Sequence, residues 1–244
     1  MGSDILEQQL TKAWDRPGLP LAHRIRDPQN ASVAGRPCPC LILLHGVGSN
    51  EGDLAGIAAR LDPRLVVMSL RGPLTVGPDR YAWFNFQFTA SGPVINADQA
   101  EQSRQMLVEF IENLPAAYDI DPERIWIGGF SQGGILSASV ALTRPDKVAG
   151  FAILSGRILP EISPLSAAPE QLRTLQAFAS HGLQDNILPV DHARNSRRLL
   201  TEKQVALQYR EYAAGHELND AMEHDFAQWL AQQLDASEME SIRP

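Results

Sequence analysis

Gly128-Gly129-Phe130-Ser131-Gln132-Gly133-Gly134 sets one serine among four glycines, two of them spaced two residues on either side of it. The apolar run Ile125-Trp126-Ile127 precedes it and reads as a buried strand; the Ala-, Leu- and Ile-rich stretch from Gly133 to Leu142 reads as a helix. A strand that turns abruptly into a helix strains the backbone of its central residue. Glycines at the flanking positions let strand and helix pass without Cβ clashes. The hydroxyl then projects beyond the sheet, and the N–H of Gln132 points toward an anion held above it. The five-residue pattern alone is weak, since an inert serine in a glycine-rich connection has the same spelling. The strand before and the helix after supply the context that the pattern requires.

A serine hydroxyl is a poor nucleophile at neutral pH. It needs a base, and the base needs an orienting acid. In strand–turn–helix sites the chain order is serine, acid, histidine. His181, His192, His216 and His224 follow Ser131. His216, in Ala213-Ala214-Gly215-His216-Glu217-Leu218, falls between the last predicted strand and the last predicted helix and is the favoured base. His192 and His224 fall inside predicted helices, where a solvated or packed histidine is the simpler reading. His181 ends a strand but precedes the favoured acid. That acid is Asp185, in His181-Gly182-Leu183-Gln184-Asp185-Asn186-Ile187-Leu188-Pro189, directly after a strand. Asp191 is the fallback, although its place suits the start of a helix, and Asp220 and Asp225 lie on the final helix. A second loop, after the strand Cys40–His45, can aim the backbone N–H of Val47 at the same point as that of Gln132. Two converging donors make an oxyanion hole, and losing one costs about 2.7–4 kcal/mol of barrier lowering. His45 precedes the serine and is assigned to bracing this loop.

The elements that must position these residues alternate along the chain. Leu21–Arg26 reads as an early edge strand, and Cys40–His45, Arg64–Leu70, Ile125–Gly128, Ala149–Leu154, Thr174–Ser180 and Val205–Tyr212 as further strands. Leu54–Leu61, Ala97–Leu114, Gly133–Leu142 and Val190–Lys203 read as helices. A last helix carries a stripe of Leu218, Met222, Phe226, Trp229 and Leu230. The alternation and the continuously apolar strands predict an α/β fold with a mostly parallel sheet and helices on both faces. Residues 1–244 are expected to form one domain: an N-terminal extension over 1–20, a core of about 21–235 and a tail over 236–244. The loosest segments, 72–96 and 157–169, follow the carboxyl ends of strands, the edge where ligands bind in such sheets.

Composition narrows the function classes. The chain of 244 residues has a net charge of −8 and no basic cluster, which argues against nucleic acid or an anionic membrane as partner. No stretch reaches the roughly 18 apolar residues that cross a bilayer, so no integral membrane association is expected. The two cysteines, Cys38 and Cys40, make neither a disulfide framework nor a zinc site, and the expected setting is a reducing cytoplasm. An exposed apolar face would support a homodimer.

Taken together, LLHGVGSN, GGFSQGG, HGLQDNILP and GHEL resemble the phospholipase/carboxylesterase family of α/β-hydrolases, which includes acyl-protein thioesterases and small bacterial carboxylesterases. The resemblance runs from about Leu41 to Leu230. It implies an α/β-hydrolase fold without a large lid domain, with Ser131 as nucleophile, Asp185 as orienting acid, His216 as base, and Val47 and Gln132 as oxyanion donors. It implies a small ester or thioester as substrate and no metal or organic cofactor. Arg71-Gly72-Pro73 with Tyr81-Ala82-Trp83-Phe84 is similar to the family's substrate-side loop, and Trp83 is taken as a substrate contact. The segments 84–96 and 156–169 depart from the family pattern. The expected activity is carboxylic ester hydrolysis through an acyl-enzyme. The alternatives are a lysophospholipase or acyl-protein thioesterase with the same triad and, from another class, a binding protein on a hydrolase fold.

Overall fold

Cys38–Leu44, Val66–Leu70 and Gly150–Leu154 are apolar at nearly every position, and each of their residues is buried. Strands covered on one face only would alternate with polar residues; these do not, because both faces are covered. The computed structural model describes residues 11–13, 16–29, 37–89 and 92–241, so part of the expected extension and the last three residues lie outside the described residues. In chain order the strands and helices are β1 (Thr11–Ala13), β2 (His23–Arg26), β3 (Cys38–Leu44), α1 (Ala55–Arg60), β4 (Val66–Leu70), β5 (Leu74–Gly77), β6 (Arg80–Ala82), β7 (Phe86–Thr89), β8 (Gly92–Ile95), α2 (Ala97–Ala117), β9 (Ile120–Phe130), α3 (Gln132–Thr143), β10 (Gly150–Leu154), α4 (Pro169–Leu172), β11 (Gln176–Gly182), α5 (Asp191–Glu202), β12 (Ala206–Tyr212) and α6 (Asp220–Ser241). A 3₁₀ turn, Pro160–Leu165, precedes α4.

The main sheet has the order β1-β2-β4-β3-β9-β10-β11-β12. Its six strands from β4 to β12 run parallel, while β2 is antiparallel to both β1 and β4. Successive side chains along each strand go to opposite faces. On one face Leu41, Leu43, Val67, Trp126, Ala152 and Phe178 meet Ile57 of α1, Leu61 just after it, and Phe226, Trp229, Leu230 and Leu234 of α6. On the other, Ile42, Leu44, Met68, Ile127, Phe151 and Ile153 meet Leu107, Phe110, Ile111 and Leu114 of α2, the apolar side of α3, and Leu200 of α5. The α2 and α6 residues recur at three- and four-residue steps, the spacing that puts one stripe against a sheet. Asn96 caps α2 by accepting the Gln99 N–H at 3.1 Å, which explains why the helix starts there.

Several expectations are corrected. β2 is not an edge, because β1 pairs outside it. The segment 72–96 is not loose: it folds into two hairpins, β5–β6 and β7–β8. Residues 236–241, expected in a tail, continue α6.

The tightest packing in the fold is where β9 becomes α3. A Cβ on Gly129 would stand 2.5 Å from the carbonyl oxygen of Leu44, at the end of β3, and a Cβ on Gly133 would stand closer still to the same oxygen. β3, β9 and α3 therefore converge at a spacing that only glycine permits. Ser131, between them, has φ 54° and ψ −115°, a conformation rarely adopted by residues with a side chain. Gly133→Ala is expected to lower the unfolding free energy by about 3 kcal/mol or more, from overpacking against backbone that cannot move away. Urea denaturation would measure this; a loss within about 1 kcal/mol would mean that the convergence is softer than described.

Candidate active site

Ser131 is pinned on both sides of its strained backbone. Its N–H donates to the Leu154 carbonyl at the end of β10 (2.9 Å), and its own carbonyl accepts the N–H of Ile135 as the first bond of α3 (3.0 Å). The side chain is 7% exposed, so its hydroxyl is reachable from one direction only. Oγ lies 3.0 Å from Nε2 of His216, which stands on the loop after β12. Nδ1 of His216 lies 2.7 Å from Oδ2 of Asp185. The imidazole also packs against Phe130, with ring centroids 4.9 Å apart, so its plane is held from the side as well as from both ends.

Asp185 sits in the loop after β11 and is 5% exposed. Its Oδ1 accepts the backbone N–H groups of Ile187 (2.9 Å) and Leu188 (2.8 Å), which closes the loop on the carboxylate. The fallback Asp191 opens α5 and lies on the exposed ion pair with Arg194 at 3.4 Å. His192 and His224 are on α5 and α6, as read from the sequence. His181 is different from its sequence reading. It is fully buried, with Nε2 2.7 Å from the carbonyl oxygen of Leu188 and 3.2 Å from Oδ2 of Asp185. A carbonyl oxygen only accepts, so Nε2 of His181 carries the hydrogen and donates it to Leu188, with the Asp185 carboxylate beside it. Nδ1 of His181 has no partner among the described residues. The motif HGLQDNILP contained both residues, but nothing in their spacing said that the chain would fold back to bring the Leu188 carbonyl onto His181.

The loop expected to face the serine from the other side begins at His45-Gly46. A Cβ on Gly46 would lie 3.5 Å from Cβ of Ser131, so Gly46, the residue before Val47, borders the serine directly. Gln132 is the first residue of α3; N–H groups in a first helical turn have no carbonyl within the helix to reach. His45 braces this loop, as its position suggested. It is buried, donates from Nδ1 to the Gly46 carbonyl (2.7 Å), and accepts the Gly72 N–H at Nε2 (3.0 Å). Those two bonds require the neutral ring. Burial accordingly holds its pKa below the ordinary value, outweighing the opposing bond to Gly46. Beside it, the buried carboxylate of Glu51 takes a two-pronged bond from Arg71 at 2.7 and 2.8 Å. Burial raises the Glu51 pKa, but the Arg71 fork and the Arg24 charge outweigh it, and the net direction is down.

Trp83, expected at the substrate, is instead fully buried. Its indole N–H donates to the His45 carbonyl (3.0 Å), and its backbone N–H donates to Oε1 of Gln132 (3.1 Å). Nε2 of Gln132 reaches the Phe84 carbonyl (2.7 Å). Trp83 therefore holds the loops around the serine and presents no face to a ligand. Apolar surface beside the site comes from Val47, Leu183 and Ile187, which are exposed on the loops that carry the expected oxyanion donor and the carboxylate. The signal for them was their place next to Gly46 and Asp185.

Among the described residues there is no group of three or more His, Cys, Asp and Glu side chains arranged to hold a metal ion, and no helix is long and apolar enough to cross a membrane. Chemically, the cluster offers a hydroxyl next to an imidazole whose far nitrogen is held by a carboxylate, the arrangement that moves a proton away from an attacking oxygen.

The family model described as Phospholipase/Carboxylesterase matches residues 29–234. Acyl-protein thioesterase 1 of Eremothecium gossypii is 26% identical over 221 residues, which cover 84% of this chain and 93% of that protein. The crystal structure of the Bacillus cereus carboxylesterase is similar at a TM-score of 0.75 with 20% identity, covering 88% of this chain and 95% of that one. A carboxylesterase from Mesorhizobium loti gives the same TM-score and identity over 91% and 99% of the two chains.

Because the Gly46–Gly72 bridge needs a neutral His45, acidification should loosen it. The folded-state pKa lies below the ordinary value near 6.5, so the unfolded chain takes up the proton first. Stability is then full above about pH 6.5 and falls as the pH drops toward the lowered folded value. His23 and His192, also lowered, first by burial, contribute with the same sign. Denaturation midpoints measured from pH 7 to 5 should fall, and His45→Asn, which does not titrate, should reduce the slope. An unchanged slope in that variant would show that His45 is not a source of it.

Proposed function

This chain belongs to the phospholipase/carboxylesterase family, and from that membership we propose that it cleaves carboxylic esters with Ser131 as nucleophile, His216 as base and Asp185 as the acid that orients the base. It is an ester hydrolase on an α/β-hydrolase fold. The observation that carries the assignment of roles is the unbroken chain of hydrogen bonds from Ser131 Oγ through His216 to Asp185, at 3.0 and 2.7 Å.

In the proposed cycle Ser131 Oγ attacks the ester carbonyl while Nε2 of His216 takes its proton. Asp185 keeps the hydrogen of the resting imidazole on Nδ1 and stabilises the imidazolium that forms. The N–H groups of Val47 and Gln132 receive the negative charge that develops on the carbonyl oxygen. His216 passes its proton to the leaving alcohol, which departs and leaves an acyl-serine. Water then gives a proton to His216 and attacks the acyl carbon, and the acid leaves as Ser131 regains its hydrogen. The scheme uses no metal or organic cofactor. Exposed Val47, Leu183 and Ile187 give the acyl or alcohol part apolar surface to lie on.

Thioesters form a second substrate class, supported by the relative named acyl-protein thioesterase 1 and by the shared chemistry. The two cysteines, both buried, support work in the reducing cytoplasm; burial raises the Cys40 thiol pKa, which keeps it unreactive.

A fluorophosphonate probe is expected to label Ser131 in the wild type, and p-nitrophenyl acetate to be turned over. Ser131→Ala should lose both, with kcat reduced by about 10³-fold or more while the circular dichroism spectrum is kept. Labelling at another residue, or turnover that survives the substitution, would contradict the assignment.

A further inference from the structure

A cavity lies outside the triad. It has a volume of about 470 Å³, in the range of small-molecule sites, and opens between the Pro160–Leu165 turn and α5. Its apolar wall includes Leu142, Ile158, Leu159 and Leu199, and its polar wall includes Arg157, Arg198 and Lys203 with a single acidic residue, Glu202. In a chain of net charge −8, this cleft stays net positive: Arg198 and Glu202 pair at 4.0 Å, which leaves Arg157 and Lys203.

Arg157 is what distinguishes this cleft. Most of the arginines that the structure describes are matched: Arg24, Arg60, Arg64, Arg71, Arg104, Arg124, Arg144, Arg194, Arg198 and Arg210 to carboxylates, and Arg26 to four backbone carbonyls. Arg157 is half-buried, its Nε is shut off from water without a hydrogen-bond partner, and no carboxylate among the described residues lies within ion-pair distance of it. Ser166 Oγ, on the same cleft, is likewise buried without a partner. Leaving a guanidinium partly desolvated and unmatched is costly unless an anion completes it. The guanidinium fork is also the side chain best shaped to take a carboxylate or phosphate with two parallel bonds.

Three consecutive residues connect the backbone beside the serine turn to the cleft wall. Ser155, at the end of β10, has φ 49° and turns the chain sharply. Gly156 lies against the Ser131 backbone, where an added Cβ would stand 3.0 Å from the Ser131 carbonyl oxygen. Arg157 follows at once, and Ile158 N–H is tied to Ser196 Oγ of α5 at 3.0 Å. The backbone that walls one side of the serine turn thus continues directly into the wall of the cationic cleft.

We propose that this cleft is an anion subsite of the ester-hydrolase site: Arg157 takes a carboxylate or phosphate on the non-reacting end of an amphiphilic substrate, whose short apolar part runs from the cleft toward Ser131. The link to catalysis rests on the role proposed above for Ser131; the binding itself does not. Two measurements keep them apart. Calorimetric titration of the Ser131→Ala protein with hexyl phosphate, hexanoate and hexanol tests binding without turnover. At least one of the two anions should bind tenfold or more tightly than the alcohol, and which one does identifies the headgroup. Adding Arg157→Gln should abolish that preference, and Arg157→Lys should restore part of it. In the wild type the preferred anion should inhibit p-nitrophenyl acetate hydrolysis competitively. Equal binding of anions and alcohol, a preference that survives Arg157→Gln, or inhibition that is not competitive would each overturn the proposal. Anion binding through Arg157 in a protein that hydrolyses no ester would instead overturn the serine assignment and the subsite's link to it.

Discussion

Three hydrogen-bond donors and one neighbouring imidazole surround the carboxylate of Asp185, and almost no water reaches it. Two backbone N–H groups hold Oδ1, while the imidazoles of His216 and His181 approach Oδ2 at 2.7 and 3.2 Å. Each oxygen has a separate task. Oδ1 shapes the loop 185–188, and that loop then fixes where Oδ2 points. Oδ2 in turn decides which nitrogen of His216 carries the hydrogen, and so whether Nε2 is free to accept from Ser131. His181 adds a second restraint by donating to the Leu188 carbonyl, on the same loop that Oδ1 closes. The placement of the His216 imidazole, the proposed base, thus depends on an anion fixed by backbone geometry. It does not depend on the flexible reach of two side chains.

The serine end is fixed by sterics. Leu44 presses its carbonyl against Gly129 and Gly133, and the only route left for the chain between them puts Ser131 at positive φ. Strain of this kind costs on the order of 1–3 kcal/mol and persists only where packing enforces it. Here the enforcing parts are the buried strands β3 and β10, the buried second half of β9, and a helix, α3, that is buried along all but its last residue. The loops opposite are braced by polar side chains in the interior: His45 between Gly46 and Gly72, Gln132 between Trp83 and Phe84, and Glu51 with Arg71. A buried polar group is tolerable only when its bonds are made, and these bonds are spent on holding loops.

What was legible in the sequence follows the same division. The glycines around Ser131 stand out because their requirement is local and steric. Asp185 and His216 stand out because chain order and the ends of predicted strands leave few alternatives. The sheet was legible because two-sided burial writes itself as unbroken apolar runs. Trp83 was misread because its surroundings are set by His45 and Gln132, far away in the chain; alternation in Trp83-Phe84-Asn85-Phe86 carries no trace of those bonds. The hairpins within 72–96 pair short, partly exposed strands with little apolar pattern. His181 and Arg157 each depend on what the fold brings beside them: a returning carbonyl in one case, and the absence of any carboxylate in the other.

Asparagine at position 185 separates charge from shape. Its oxygen can still accept from Ile187 and Leu188, which leaves its NH₂ facing two imidazole nitrogens that now carry hydrogens. His216 must then turn its hydrogen to Nε2 and lose the ability to accept from Ser131. The decisive measurement is kcat/KM for p-nitrophenyl acetate in Asp185→Asn, with the melting temperature as a check on the fold. The expected result is a fall of about 10³–10⁴-fold in a protein that still melts cooperatively. Activity within tenfold of the wild type would contradict the central claim that Asp185 sets the state of the base.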